Sequence, residues 1–470
     1  MPRTHNRQQI GVQEAFLARL FIIVFVALLV LIGLSYRRLE GQAPGVGFDR
    51  EFEALGRTFS LGLTVDDSGT GLKEVSVLLT QGDREVLLAE DSFDGPGLFR
   101  LWGSGEEKSR SYDIGALIAE KYKVQEGPAT LTVRASDYSL RHFLEGNRTV
   151  LIRDFEFDIY PPRLEALSGL HYINQGGSES VLYRVSEDAT ASGVQVGPHF
   201  FPGFPVDASD PELHFSLFAF AYDLPVDTPI TLVAKDGAGN EARAGFGYRV
   251  TPRAFRNRDI VLGDSFLQKV VPEIVSRTPG IDDQGELIDT YVEINSRLRR
   301  ENHEAVAELS ASSEGGFLWD GAFLQLSNSQ VESFFADRRT YMYQGERVDQ
   351  QDHVGFDLSV VQRYPIEAAN TGKVILAEYF GIYGNTVLID HGSGLVSLYA
   401  HMSSIDVETG QMVPKKGVLG RSGATGLAGG DHLHFGLFLH GVPVNPIEWW
   451  DPKWVQDHVM DRLEPSSDDS

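Results

Sequence analysis

Hydrophobic positions change their period several times along the chain, and each change predicts a different kind of element. Residues 20–34 are apolar and uncharged, and with Ala15, Phe16, Leu17 and Ala18 ahead of Arg19 the run reaches the minimum that spans hydrocarbon. A core helix is rarely apolar all round, so a transmembrane helix is predicted. Arg3, Arg7 and Arg19 precede it and Arg37 and Arg38 follow, which gives only a slight orienting signal. The nearest small-x-small triplet, Gly41-Gln42-Ala43, lies beyond the run, and the chain has no cysteine for lipidation, so an uncleaved anchor is expected.

From residue 45 the period becomes two. Val65-Asp66-Asp67-Ser68-Gly69-Thr70-Gly71-Leu72 matches Val185-Ser186-Glu187-Asp188-Ala189-Thr190-Ala191-Ser192-Gly193-Val194 in design, and Thr130 to Asp137 parallels Ile230 to Gly237. Alternating apolar positions with turn-rich connections predict two immunoglobulin-like β-sandwich domains, 45–160 and 161–252, jointed at Pro161-Pro162. Their expected role is that of spacers or modules binding envelope proteins.

Helical spacing takes over in 253–313. Leu262, Phe266, Leu267, Val270, Val271 and Ile274 form one stripe, with Asp264 a candidate cap, and Leu287, Tyr291, Ile294, Leu298, Ala305, Val306 and Leu309 form a second. Pro279-Gly280 separates them, giving a helical hairpin whose apolar stripes need a neighbour for burial, with covering the groove of the following unit as the alternative role. Short apolar strands punctuated by glycine then run through 314–455, at Lys373 to Ala377, Thr386 to Ile389, Val396 to Tyr399 and His434 to Leu439, and predict an antiparallel β domain. Residues 456–470 read as an acidic tail, disordered from Glu464 onward.

Composition narrows the function classes. The chain has 470 residues, enough for several domains, and a formal net charge of −25. The first 44 residues are net basic, so the remainder is more acidic still and nucleic acid is disfavoured as a partner. With no cysteine, a thiolate metal site is excluded.

The candidate chemistry is concentrated in five residues. His432-Leu433-His434 places two imidazoles on one face if the segment is a strand, so that one binds metal while the other handles protons. His353 and Asp357 add a nitrogen and an oxygen ligand, and two histidines with one carboxylate leave the open position of a catalytic zinc site. Gly355 between them favours an extended or turning backbone over a helix. His401 follows Tyr399-Ala400, and an unligated imidazole titrates near neutrality. No HExxH occurs, so a glutamate base of that kind is absent.

These motifs, in order, are Arg338-Arg339, His353-Val354-Gly355-Phe356-Asp357, Gly372-Lys373-Val374, Tyr383-Gly384-Asn385, Asp390-His391-Gly392, Tyr399-Ala400-His401, Gly410-Gln411, Gly423-Ala424-Thr425-Gly426, His432-Leu433-His434-Phe435 and Val444-Asn445-Pro446. The stretch from Phe317 to Trp454 resembles the M23 (LytM or lysostaphin-like) zinc metallopeptidases, which cut peptide bonds of bacterial peptidoglycan. The resemblance implies one Zn²⁺ held by His353, Asp357 and His434, and a catalytic pair in His401 and His432. It also implies a groove on the β-sheet, with the glycine-rich loop from Arg421 to Asp431 beside it.

The expected protein is therefore a multidomain, mainly β, membrane-anchored endopeptidase. Residues 1–44 supply a cytoplasmic tail and single-pass anchor in the cytoplasmic (inner) membrane, and the catalytic domain lies in the periplasm or otherwise outside. A non-catalytic activator of another wall hydrolase, or a peptidase for envelope proteins, are the alternatives. His391 is expected to be structural and His440 to face solvent. Asp431, at a position more often proline in the family, would raise the pKa of His432 if it turned inward.

Overall fold

The computed structural model describes residues 5–36, 39–95, 107–313 and 315–463; in the first helix, side chains are described only for residues 16–30 and 32. The acidic tail predicted from Glu464 onward lies outside the described residues. The chain is mainly β with few helices, and divides into two compact units, residues 1–161 with 237–240, and 162–236 with 241–470.

The first unit begins with the helix His5–Tyr36, whose described apolar side chains, among them Phe21, Ile22, Ile23 and Phe25, are all exposed. Among the described residues no helix is long and apolar enough to cross a membrane. Two sheets follow. One has five strands in the order Ala54–Leu55, Arg148–Phe157, Gly127–Asp137, Leu72–Gln81, Arg84–Ser92, and the other joins Gly45–Phe48, Gly62–Asp66 and Ser109–Asp113. Alternation does what the sequence pattern requires: Leu131, Val133 and Ala135 are buried with Val75, Val77, Leu79 and Phe157, while the intervening positions face outward. Asp113 caps the helix Ile114–Lys121 by accepting from the Ala116 amide at 3.1 Å.

The second unit opens with two four-stranded sheets. The strand Ser178–Val185 pairs with Asp210–Ala219 in one, and Ala189–Val196 pairs with Ile230–Asp236 in the other. Asn257–Val261, within the stretch expected to be helical, is a strand pairing in parallel with Asp337–Tyr343; its short length gives no period of its own to read. Helices then run over Asp264–Arg277, Leu287–Glu293 and Arg299–Ser310, joined in the last pair by a wider turn at Ile294–Leu298. Asp264 does not cap the first of these. Gly263 holds the cap position, and the Asp264 carboxylate accepts from the Tyr343 hydroxyl at 2.9 Å instead.

Eight further strands build an antiparallel sheet in the order Gln330–Ser333, Phe356–Ser359, Leu433–Leu439, Leu395–Met402, Asn385–Asp390, Gly372–Tyr379, Met412–Val413, with Val442–Val444 hairpinned onto Leu433–Leu439. Both faces are covered. Val396, Leu398, Ala400 and Phe438 pack under the helices with Leu267, Val270, Ile294 and Leu298. Leu433, Phe435, Leu437 and Tyr399 face the other way, into a core shared with Val181, Phe215 and Phe218 of the preceding sheets. At that seam Trp449 Nε1 donates to Ser178 Oγ at 2.9 Å, and His458 Nδ1 pairs with the buried Glu179 carboxylate at 2.8 Å. His440 lies in the same seam rather than in solvent. Its ring stacks on Phe204 at 6.2 Å, and burial pushes its pKa down to about 4.

Candidate active site

Three side chains meet where two strands pair. Asp357 and His434 are cross-strand partners, and His353 ends the strand Glu346–His353 just ahead of them. His353 Nε2 lies 2.9 Å from Asp357 Oδ1 and 2.8 Å from His434 Nδ1, and His434 Nδ1 lies 3.0 Å from the same oxygen. Gly355 makes this convergence possible. A Cβ there would come within 2.5 Å of the Phe435 carbonyl and 2.8 Å of the His434 ring.

The tautomers follow from the partners. His353 Nδ1 faces the Phe334 carbonyl at 3.0 Å, so it carries the proton and donates, leaving the Nε2 lone pair aimed at the cluster. Burial holds the pKa of His353 below its ordinary value and takes His434 to about 4, so both rings are neutral at pH 7. Asp357 is different. Burial opposes its ionisation, but contacts with His353, His432 and His434 outweigh that and hold the carboxyl well below its usual range. Arg339 Nη2 binds the other oxygen, Oδ2, at 2.8 Å. Buried electron pairs brought this close repel unless a cation accepts them, and His434 Nε2 is buried with no hydrogen-bond partner among the described residues. The donor set of two imidazole nitrogens and one carboxylate oxygen thus fits a divalent metal, and these three residues form a candidate cluster for one.

The other two histidines reach the same place by different routes. His432 sits one residue ahead of the strand Leu433–Leu439, fixed by a bridge to Gly423. Its Nδ1 donates to the Gly430 carbonyl at 2.9 Å, and its Nε2 lies 3.5 Å from Asp357 Oδ1. Burial lowers the pKa of His432, yet the Asp357 contact prevails and the net shift is upward. Asp431 has no part in this: its carboxylate accepts from Ser422 Oγ at 2.6 Å and from the Arg363 amide at 3.0 Å, so the inward turn considered from the sequence does not occur.

His401 should by strand alternation point away from the cluster, because its neighbour Ala400 is the register partner of His434. A β-bulge reverses it. Met402 pairs with Asn385 and Tyr399 with Val387, so Ala400 and His401 together oppose Thr386 alone. His401 adopts a left-handed backbone with φ of 61°, unusual for a side chain of this kind. Its ring then lies 4.9 Å from that of His432 and 5.8 Å from that of His434, and its Nδ1 donates to the Thr425 carbonyl at 2.8 Å. Burial, followed by the neighbouring His432 and His434, pushes its pKa well down. The structure therefore brings all five predicted residues together. His391 stays apart, buried between the Thr371 carbonyl and Ser397 Oγ, each at 2.7 Å.

Some participants carry no role in the sequence reading. Arg339 is one of two adjacent arginines, and only alternation on its strand shows that Arg338 turns to Asp352 while Arg339 turns inward. Tyr383 places its ring 5.6 Å from His434, and His303, on the helix Arg299–Ser310, lies 6.2 Å from Tyr383. Both have buried polar atoms without a hydrogen-bond partner among the described residues, and no local pattern marks His303.

A buried His-Asp-His cluster with two further histidines beside it, on an antiparallel sheet, is a donor set suited to a divalent metal. Residues 351–446 match the family model for peptidase family M23, and the chain carries an M23 domain in its C-terminal part. Over 95 residues it is 38% identical to the DD-carboxypeptidase/endopeptidase Mpg of Neisseria meningitidis serogroup B, a match covering 20% of this chain and 22% of that protein. Over 96 residues it is 35% identical to the peptidoglycan DD-endopeptidase ShyA of Vibrio cholerae, again covering 20% of this chain and 22% of the relative. A solved Pseudomonas aeruginosa structure assigned to peptidase M23 is 23% identical with a TM-score of 0.37, covering 58% of this chain and 93% of that one. The chain thus spans about a fifth of the length of the curated relatives it matches.

Proposed function

We propose that this protein is a membrane-anchored zinc endopeptidase that hydrolyses the peptide cross-links of bacterial peptidoglycan. The observation that carries the reading is the convergence of His353 Nε2, Asp357 Oδ1 and His434 Nδ1, with two unligated imidazoles beside them. Peptidoglycan as substrate is supported by the naming of relatives such as the ShyA endopeptidase. Zn²⁺ is the metal favoured by two imidazoles and one carboxylate, and when bound it would polarise the scissile carbonyl and make water more acidic at neutral pH.

The chain's own residues divide the proton work. His401, neutral and held by Thr425 through Nδ1, presents Nε2 to take the proton of the attacking water. His432, held by Gly430 through Nδ1 and biased toward its imidazolium form by Asp357, donates from Nε2 to the departing amine. Arg339 keeps Asp357 ionised and oriented.

The anchoring rests on the exposed apolar side chains of residues 16–30, which membrane lipid would cover. On this reading the cytoplasmic membrane holds the N-terminal segment and the rest lies outside it. The two β regions, taken as immunoglobulin-like, serve as spacers or as modules for envelope proteins. The test is release of peptides from purified peptidoglycan by the protein loaded with zinc, with mass analysis of the products and His434→Ala as control. Cleavage abolished by that substitution is expected. Zinc binding without cleavage would overturn the assignment in favour of a non-catalytic activator or a peptidase for envelope proteins.

A further inference from the structure

The loop that aims His401 is gripped from outside the residues that match the family. Its hydrogen-bond acceptor is the Thr425 carbonyl, and the next residue, Gly426, has φ of 69° and lies so close to Ile382 and Gly384 that a Cβ would come within 2.5 Å of both. On the sheet side, Thr425 Oγ1 donates to the Met402 carbonyl at 3.0 Å and accepts from the Asn385 amide at 2.9 Å. On the other side stands the helix Asp264–Arg277. Glu273 Oε1 accepts from the Gly426 amide at 3.2 Å, and Lys269 Nζ donates to the Ala428 carbonyl at 3.0 Å. Glu273 and Lys269 are four residues apart, hence on one helix face, and that helix is itself seated by buried Leu267, Val270, Val271 and Ile274.

The Thr425 carbonyl and the Gly426 amide are the two ends of one peptide unit. Because that unit is planar, whatever fixes the N–H also fixes the direction of the C=O. Glu273 holds one end and His401 reads the other. Elsewhere in the loop the Leu427 amide donates to the Ile382 carbonyl at 2.8 Å and Gly423 bridges to His432, but among the described residues only Glu273 meets the Gly426 amide.

We propose that the helix Asp264–Arg277 is a working part of the catalytic site, with Glu273 a positioning residue that sets the orientation of His401 through the Thr425–Gly426 peptide, and Lys269 a second tether on the same loop. The proposal rests on the peptidase reading and extends it: residues 351–446 carry the reacting groups, while a helix well upstream holds one of them in register. Small displacements of a reacting group cost up to about a hundredfold in rate, so the helix matters to turnover without touching substrate.

The test uses the full chain. Glu273→Ala is expected to lower kcat about tenfold at unchanged KM and unchanged zinc content, and to speed hydrogen exchange at the Gly426 amide by at least about tenfold. Glu273→Gln, which keeps an acceptor oxygen, is expected to restore both to within about threefold. Arg277→Ala is the control, since that guanidinium stacks on the Tyr379 ring at 4.0 Å and does not reach the loop. It should cost stability and leave kcat within about twofold. Unchanged exchange at Gly426 in Glu273→Ala overturns the proposal, as does an equal loss of kcat in Arg277→Ala. A rise in turnover also overturns it, because the helix would then be a cover. Should the wild type fail to cleave peptidoglycan, the exchange readout still decides the positioning role, so the two ideas fail separately.

Discussion

Two antiparallel strands of this protein show what regularity and its interruption each achieve. Gly127–Asp137, in the first unit, pairs with Arg148–Phe157 in unbroken register from Gly127 to Ser136, and alternate side chains fill a core. Leu395–Met402 pairs just as regularly until Tyr399, then gives up one step of the ladder so that His401 joins a cluster its position in the alternation denies it. Regular strands put hydrophobic surface away. The histidine cluster here depends on one local departure, with a left-handed histidine held by a carbonyl from a neighbouring loop.

The contrast can be broken most sharply at His401. Replacing it with alanine or glycine is expected to lower kcat by about 10²–10⁴-fold with zinc content retained, as for loss of a general base. The two replacements differ in stability, the glycine variant being more stable by about 1 kcal/mol because it adopts the left-handed backbone without penalty. At Arg134, exposed in the middle of the regular strand, the order inverts, with glycine less stable than alanine by about 0.5–1 kcal/mol. Denaturant melts of the four variants check this; the same order at both sites would remove the bulge from the explanation.

A second comparison sets buried charge against exposed charge. Arg339→Ala leaves the buried Asp357 carboxylate without its guanidinium, and metal affinity measured by chelator competition is expected to fall about 10–100-fold. Removing the guanidinium of Arg110, which binds Asp91 at 2.9 Å with both side chains partly in solvent, should change stability by less than about 1 kcal/mol.

A further expected effect depends on pH. The pKa of His458 is raised, against burial, by Glu179, whose own pKa is lowered by its partners despite burial. A raised folded pKa contributes stability fully below the unfolded value of 6.5 and loses it as pH climbs through the folded value. The gap in unfolding free energy between wild type and His458→Gln should therefore be about 2 kcal/mol in mildly acid solution and shrink as pH rises above 6.5. A gap that widens with pH would show that the pair is not ionic.

How legible all this was depended on what kind of information each feature carries. The cluster of His353, Asp357, His432 and His434 could be read because ligand type and spacing are written in side chains. The strands of the catalytic sheet and the buried stripe Leu267, Val270, Val271, Ile274 could be read because periodicity reports burial. His401 entered through the family resemblance, and its ring does lie beside the cluster, but its route there was invisible, since a bulge is a backbone event that leaves no mark on the alternation. His440 misled, and the direction of Asp431 stayed open, because a side chain's direction is settled by distant partners, Phe204 for the first and Ser422 and Arg363 for the second. Asn257–Val261 is a strand only because Asp337–Tyr343 offers it an edge.

The seam at Trp449 and Ser178 bears on how such a chain can be rebuilt. Because Leu433, Phe435 and Leu437 share their core with Val181 and Phe218, the residues matching the family are not a cartridge that slides into a new host. A recombination joint placed at their upstream edge would strand half of a packed interface in each product. Exchanges that keep the shared core whole would carry the preceding β region along with the histidines.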